Sequence, residues 1–448
     1  MAAAMAAVAA ALAFAPPVRA QAPPPQGALT VADGAVIPLS LEDAQARALS
    51  ASHRLAEARA RQQGADAIVR GREAAQRPIV TASGGYTRTN HVTEFVVPTP
   101  TGTRVLYPDV PDNWRSRLDM QWPIYTGGRA DALERAARAE AGAIAAEITA
   151  AQADLRLEVA RAFWAVVTGT ATVRVLEEGL TRARAHVRDV RERFSAGLIP
   201  PNEVASAEAQ ESRGRLLLIE AQTQRDVVSA ELARLIGVDG GRVEPRATLE
   251  AARQDESTVE AAIAQARGAR AERVAMQRRI DAAVQQQGAA KAGRLPSIAV
   301  VAGIDYARPN PRIFPRADRW DESWDLGVNV SWPLWDGGRT DADVAQTAGA
   351  AEAARRRLAE FDSVLAVEVR QRALEITSGT AAVAAADDAV RAATEAERVV
   401  GERFRAGVIP PIDVLDAQFA LLQAQLERTR ALANLRLAEA RLSRAVGL

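Results

Sequence analysis

The chain contains no cysteine, so disulfides, thiolate metal sites and thiol catalysis are excluded. Histidine is nearly absent as well. His53, His91 and His186 are the only three, and none has a second histidine at ligand spacing. No metal site and no cofactor are expected, and the three histidines are read as solvent-facing or loop residues. An excess of one charge is also missing: 56 basic side chains balance 56 acidic ones, which gives no basic surface for nucleic acid. Aromatics make up only 4% of the residues, while Ala, Arg, Glu and Leu dominate. That composition suits long, thin helices better than a thick globular core. No run reaches 18 apolar residues, so no transmembrane helix is expected. No nucleophile, base and metal groups converge, so an enzyme is not expected either.

What the chain does have is a row of alternating residues. Trp324, Leu326, Val328, Val330, Trp332 and Leu334 are apolar, and Asp325, Gly327, Asn329 and Ser331 stand between them. Period two means one apolar and one polar face of a strand. Trp324 to Trp332 spans about 26 Å along a strand, or about 20 Å of depth once tilted. Two tryptophans flanking an aliphatic band of that height match the interfacial girdles of a membrane barrel. A half-buried strand on a soluble core would show the same alternation, but this pattern recurs. Trp114, Leu118, Met120, Trp122 and Ile124 alternate with Arg115, Arg117, Asp119 and Gln121, at a constant offset of 210 residues.

Residues 1–20 read as a secretory signal, with an apolar run from Ala6 to Phe14 and a small-x-small site, Val18-Arg19-Ala20, before Gln21. The missing basic start leaves a disordered Ala-rich arm as the alternative. No Cys follows the site, so no lipid anchor is expected. Residues 21–38 read as a Pro- and Gly-rich linker. The first repeat covers 39–250. It begins with a helix capped by Ser40 and stopped by Pro78, then has strands at about 78–88 and 113–125 around a Pro-rich loop. A proline-free helix over 129–194 would be about 100 Å long. A Gly-Pro turn and a return helix over 202–236 follow.

The second repeat, 251–448, has the same order, with strands at about 296–307 and 323–335, a long helix over 339–404 and a return helix over 412–446. Gly337-Gly338-Arg339 matches Gly127-Gly128-Arg129, and Phe404 to Pro411 matches Phe194 to Pro201. The glycine pairs, with Pro123 and Pro333 ahead of them, read as a swivel from strand to helix. A phosphate cradle is the alternative. Gly169 and Gly379 occupy equivalent places in the long helices and mark a tight crossing or a bend. Leu415, Phe419, Leu422 and Leu426 form a heptad seam. Four strands cannot close a barrel, and lipid does not tolerate an open edge, so the barrel is shared between chains. Two chains would give eight strands and three would give twelve. Polar inner residues Asp119, Gln121, Asn329 and Ser331 favour twelve strands around a pore.

The duplicated unit, the Trp-Pro-Ile-Tyr-Thr-Gly-Gly-Arg and Trp-Pro-Leu-Trp-Asp-Gly-Gly-Arg junctions and the two Phe-x-Ala-Gly-x-Ile-Pro-Pro turns resemble the TolC-like outer-membrane efflux family over about residues 39–448. The resemblance implies an α+β membrane protein: a homotrimer with a twelve-stranded β-barrel in the outer membrane, continued by a long α-helical coiled-coil barrel across the periplasm of a Gram-negative cell. It implies the exit duct of a tripartite efflux pump, with a periplasmic adaptor and an inner-membrane transporter as partners. The duct of a type I protein secretion system is the alternative within that class, and a soluble periplasmic coiled-coil scaffold is the alternative outside it. In the family the tip turns meet the adaptor; here these are Ala196, Gly197, Leu198, Ala406, Gly407 and Val408. The aspartates of the periplasmic aperture match Asp413 and Asp416, with Asn202 and Glu203 leading the corresponding helix of the first repeat. A plainer role for the two aspartates is complementing a helix dipole. Trp114, Trp122, Trp324 and Trp332 would meet outer-membrane lipid. Ile409 departs from the pattern, standing where some members carry an arginine that tethers the closed mouth. The chain's end at Leu448 predicts a thin equatorial belt.

Overall fold

A computed structural model of the chain describes residues 29–30, 36–100, 102–239, 242–250 and 258–448. The signal segment, 1–20, lies outside the described residues. In chain order the elements are β1 (Leu29–Thr30), β2 (Val36–Leu39), α1 (Leu41–Ala51), α2 (His53–Ala74), β3 (Ile79–Arg88), β4 (Phe95–Thr99), β5 (Gly102–Tyr107) and β6 (Asp112–Tyr125). Then come α3 (Arg129–Ser195), α4 (Pro201–Leu235), β7 (Val238–Asp239), β8 (Arg242–Pro245), α5 (Val259–Ala269) and α6 (Ala271–Lys291). The chain closes with β9 (Ser297–Arg308), β10 (Asp321–Ser331), α7 (Arg339–Arg405) and α8 (Pro411–Val446).

The four long strands form one antiparallel sheet in the order β10-β9-β6-β3. β6 and β9 join the two repeats, and the outer edges of β3 and β10 have no strand partner among the described residues. Strand β10 stops at Ser331, short of the expected 335, because its partner β9 begins at Ser297, immediately after Pro296. Residues 332–335 therefore have nothing to pair with. The Pro-rich stretch after β3 is not all loop: β4 and β5 pair there as a hairpin. Pro98 is tolerated because β4 pairs on one side only. The linker ends earlier than expected, since β1 and β2 pair in parallel with β7 and β8 and tie the N-terminal segment to the joint between repeats.

The expected first helix is two, broken at Ser52, whose side chain caps α2. The two 67-residue helices α3 and α7 run unbroken. Gly169 and Gly379 mark tight crossings. A Cβ at 169 would lie 3.3 Å from the Arg225 backbone on α4, and one at 379 would lie 3.3 Å from Leu435 on α8. α3 packs against α2, α4, α6 and α8, and α7 against α6 and α8. The largest core cluster gathers Leu155, Val159 and Phe163 of α3 with Leu39, Leu55, Leu232 and Val243. α3 also holds a stretch apolar enough to cross a bilayer, which the sequence reading did not count. Only 39% of that stretch is buried against neighbouring helices within the chain. Of the heptad seam on α8, Leu415 is buried and Leu422 lies against Gly179 of α3, while Phe419 is exposed; the buried face also takes in Val414, Leu421, Ala424, Leu432 and Leu435.

Candidate functional site

The two tip turns are built alike. In the first, Gly197 N–H donates to the Phe194 carbonyl (2.8 Å) and Leu198 N–H to the Arg193 carbonyl (2.9 Å). In the second, Gly407 donates to Phe404 (2.9 Å) and Val408 to Arg403 (3.0 Å). Each is a Schellman closure with glycine in the left-handed position, at φ 74° and 75°. Ala196 and Ala406 precede these glycines as C-caps. The paired prolines that follow stop one helix and start the next, Pro201 and Pro411 taking the first-turn position. Leu198 and Val408 at the apex are 71% and 63% exposed.

Behind the apex the repeats differ. Phe404 is buried against α3, beside His186 (ring centroids 5.4 Å) and under the Arg193 guanidinium (4.0 Å), which also donates to the Phe404 carbonyl (2.8 Å). Its mate Phe194 is exposed. His186 is thus a core residue, contrary to the expectation for the histidines, and burial pushes its pKa below the ordinary value. The sequence signal was present, since His186 precedes Val187 and Val190 on the packed face of α3. Asp413 is half-buried and Asp416 exposed on the first turns of α8, and neither carboxylate has a partner among the described residues. Asn202 is exposed and Glu203 half-buried at the start of α4.

At the other end of the molecule the sheet separates its faces. Trp324, Leu326, Val328, Val330 and Trp332 are 60–75% exposed in one row, and Trp114, Leu118 and Trp122 continue that face on β6. Trp122 and Trp332 each donate their indole N–H to the chain just before a strand, to the carbonyls of Gln76 (3.2 Å) and Arg294 (3.1 Å). The opposite face carries a charge network that sequence reasoning missed. Asp305 of β9, almost fully buried, accepts from Arg115 (2.6 Å) and Arg117 of β6. Arg117 also meets Asp119 (2.5 Å) and Asp325 (3.2 Å). Gly303 seats that guanidinium, since a Cβ there would collide with it. The signal was Asp305, the one acid in β9, after the apolar run Ile298 to Ile304.

Below the strands, Gly127, Gly128, Gly337 and Gly338 all have positive φ. Thr126 and Asp336 supply the caps those glycines cannot. Thr126 Oγ accepts from Ala130 N–H (3.1 Å), and Asp336 Oδ2 accepts from Thr340 N–H (2.9 Å). Position 127 has a second constraint, for a Cβ there would sit 2.7 Å from Leu295 Cβ. Pro123 falls at a shift in the β6–β9 register, and Pro333 lies beyond the end of β10. Among the described residues no group of His, Asp or Glu is arranged to hold a metal ion.

These features recur in known proteins. The sequence model of the outer membrane efflux protein family matches residues 45–238 and 263–448, one segment per repeat. Outer membrane protein TolC of Vibrio cholerae serotype O1 is 24% identical over 310 residues, 67% of this chain and 69% of that protein. Outer membrane efflux protein BepC of Brucella suis biovar 1 is 25% identical over 256 residues, 57% of this chain and 55% of that protein. Among solved structures, CusC superposes with a TM-score of 0.78 at 17% identity, covering 91% of this chain and 92% of that one. VceC from Vibrio cholerae gives 0.75 at 22% identity, covering 91% and 96%. The fold is therefore that of the outer-membrane tunnel proteins with a helical barrel, and the relatives are channels rather than enzymes. With both repeats matched, the chain belongs to the outer membrane efflux protein family and resides in the outer membrane.

Proposed function

We propose that three copies of the chain close a twelve-stranded barrel and stack their helices into one tunnel beneath it, forming the exit duct of a tripartite efflux pump for small molecules. The observation that carries this reading is the pair of free strand edges beside a row of exposed tryptophan and aliphatic side chains. Such edges in lipid must be paired. β3 and β10 run antiparallel, so the β10 of one copy can continue into the β3 of the next. The helices repeat the argument. Leu216, Ile219 and Val227 form an exposed apolar row on α4, and Val364, Val367 and Leu374 form one on α7. Each covers the other when copies stand side by side.

In this reading the four girdle tryptophans sit at the two lipid interfaces. The glycine pairs at 127–128 and 337–338, with Pro123 and Pro333, swivel strand into helix. The exposed apices at 196–198 and 406–408 dock a periplasmic adaptor, which links the duct to an inner-membrane transporter. Asp413 and Asp416, their carboxylates without a partner among the described residues, ring the periplasmic aperture, with Asn202 and Glu203 beside them. The test is light scattering of the detergent-purified protein together with single-channel recording. A trimeric mass and discrete conductance steps are expected, and a monomer that does not conduct overturns the proposal.

A further inference from the structure

The loop between β9 and β10 does not extend away from the sheet. It folds over the face that carries the charge network. Asn310, buried, donates through its amide to the Asp321 carbonyl and to Ser323 Oγ (both 3.0 Å), and its Oδ1 accepts from Arg312 N–H (2.9 Å). Arg312 reaches Asp325 (2.7 Å), and Arg316 donates to Asn113 Oδ1 (2.6 Å). By register Ser323, Asp325 and Asn113 share the face of Arg115, Arg117 and Asp305, opposite the tryptophan row. Between the loop and the strands lies a cavity of about 380 Å³, lined by Asn113, Arg115, Arg117, Ala307, Pro309 and Arg316 among others.

The charges around this cavity do not balance. Four guanidinium groups, from Arg115, Arg117, Arg312 and Arg316, face three carboxylates, from Asp119, Asp305 and Asp325. Arg316 carries the excess. Among the described residues it has no carboxylate partner. Its donors go to Asn113 and the Tyr107 hydroxyl, it lies over the Tyr107 ring (5.0 Å), and its Nε is buried with no acceptor. A buried donor without an acceptor calls for one from outside the chain. A planar fork beside a second guanidinium suits a carboxylate, phosphate or sulfate group.

We propose that this cavity is an anion-binding site on the inner wall of the barrel, taking the carboxylate, phosphate or sulfate group of a solute in transit. The site rests on the assembly proposed above, because the face lines a lumen only once copies close the barrel. Repeated by symmetry, it makes the barrel attract anions while the aspartates at the far end attract cations. The experiment is planar-bilayer recording of the full-length protein, with sulfate, inorganic phosphate or citrate added on the barrel side and sucrose as a neutral control. Wild type is expected to show current reduction by citrate at a concentration at least tenfold below that needed for Arg316→Gln, with Arg316→Lys in between. Should Arg316→Gln fail to assemble, Asn113→Asp places a carboxylate opposite Arg316 and should abolish the effect in the same way. Channels that conduct but respond alike in wild type and in the assembled variants overturn the site and leave the assembly standing. Loss of all conductance in wild type overturns both.

Discussion

Glu272 holds together the charge cluster at the joint between the repeats. It sits at the start of α6 where the two repeats meet, between two buried guanidiniums, Arg270 and Arg444. Arg270 donates to it at 3.0 and 3.1 Å, and Arg444 donates to it and to Asp154 (2.8 Å) of α3. Arg270 also holds the Ala445 carbonyl (3.2 Å) and Glu368 of α7 (3.3 Å), so the cluster ties together α3, α6, α7 and α8. Glu272→Met leaves Arg270 with only Glu368 and Arg444 with only Asp154, carboxylates that are 35% and 62% exposed, whereas Arg444→Met leaves Glu272 still held by Arg270. Removing one member of a buried ion pair costs about 3–5 kcal/mol, and losing a hydrogen bond from an otherwise satisfied group about 1–3 kcal/mol. Glu272→Met should therefore fall in the first range and Arg444→Met in the second. Loss of helical circular dichroism in urea, in detergent, measures both. The opposite order, or two changes below about 0.5 kcal/mol, would refute this account of the joint. The pH dependence follows in sign. Burial alone would raise the Glu272 pKa, but the hydrogen bonds from Arg444 and Arg270 outweigh it and hold the pKa below the ordinary value. The stabilisation is complete above the unfolded value near about 4.3 and is lost as pH falls through the folded one. Glu272→Gln should remove that acid-side loss.

Three further outcomes follow from the same geometry. Gly407→Val places a β-branched residue at φ 75°, which costs about 1–2 kcal/mol and distorts the tip; the expectation is drug sensitivity with the oligomer intact, and unchanged efflux with unchanged adaptor crosslinking would contradict it. Val328→Arg, 65% exposed on the tryptophan row, should cost about 2–4 kcal/mol in membrane assembly while Asn329→Arg is tolerated, and equal tolerance would mean the faces are wrongly assigned. Asp413→Ala with Asp416→Ala should lower cation selectivity in bilayers; a double variant as selective as wild type would leave the two acids as helix-terminus residues only.

The parts of the fold that repeat were legible in the sequence, because a constant offset of 210 residues displays the same strand and helix twice. Period two in Trp324 to Trp332 names the strand and its faces together. What could not be read is what the chain brings together from afar. Arg117 and Asp305 are 188 residues apart and Glu272 and Arg444 are 172 apart, and nothing local to either marks the pairing. Short elements were missed for a different reason. The two-residue strands β1 and β7 are too short to show any period, and Pro98 in β4 argues for loop where a one-sided hairpin tolerates it. At the tip the sequence treats Phe194 and Phe404 as equals. In the chain only Phe404 is covered, because only it has another repeat beside it.

That inequality leads to a register. The seam between repeats within the chain, where β6 meets β9, should recur between copies, where β10 meets β3. Within the chain Gln121 faces Val301. Carrying Gln121 forward by 210, and Val301 back by 218, the offset that sets Pro296 against Pro78 ahead of the first strand of each repeat, makes Ser331 of one copy face Ser83 of the next. Directly opposed residues on antiparallel strands have Cα atoms about 4.5–5.5 Å apart, within the range a disulfide spans. Inside one chain the two serines lie at opposite edges of a four-stranded sheet, at least about 14 Å apart at about 4.8 Å per strand and displaced along the strands as well, too far to bridge. The chain has no cysteine of its own, so Ser83→Cys with Ser331→Cys reports on this contact alone. Mild oxidation of the double variant in membranes should give dimer and trimer bands on a non-reducing denaturing gel, with nothing larger. Thr81→Cys with Ser331→Cys, two residues out of register, should give far less. A ladder running past three would break the trimer, and a monomer band unmoved by oxidation would break the shared barrel itself.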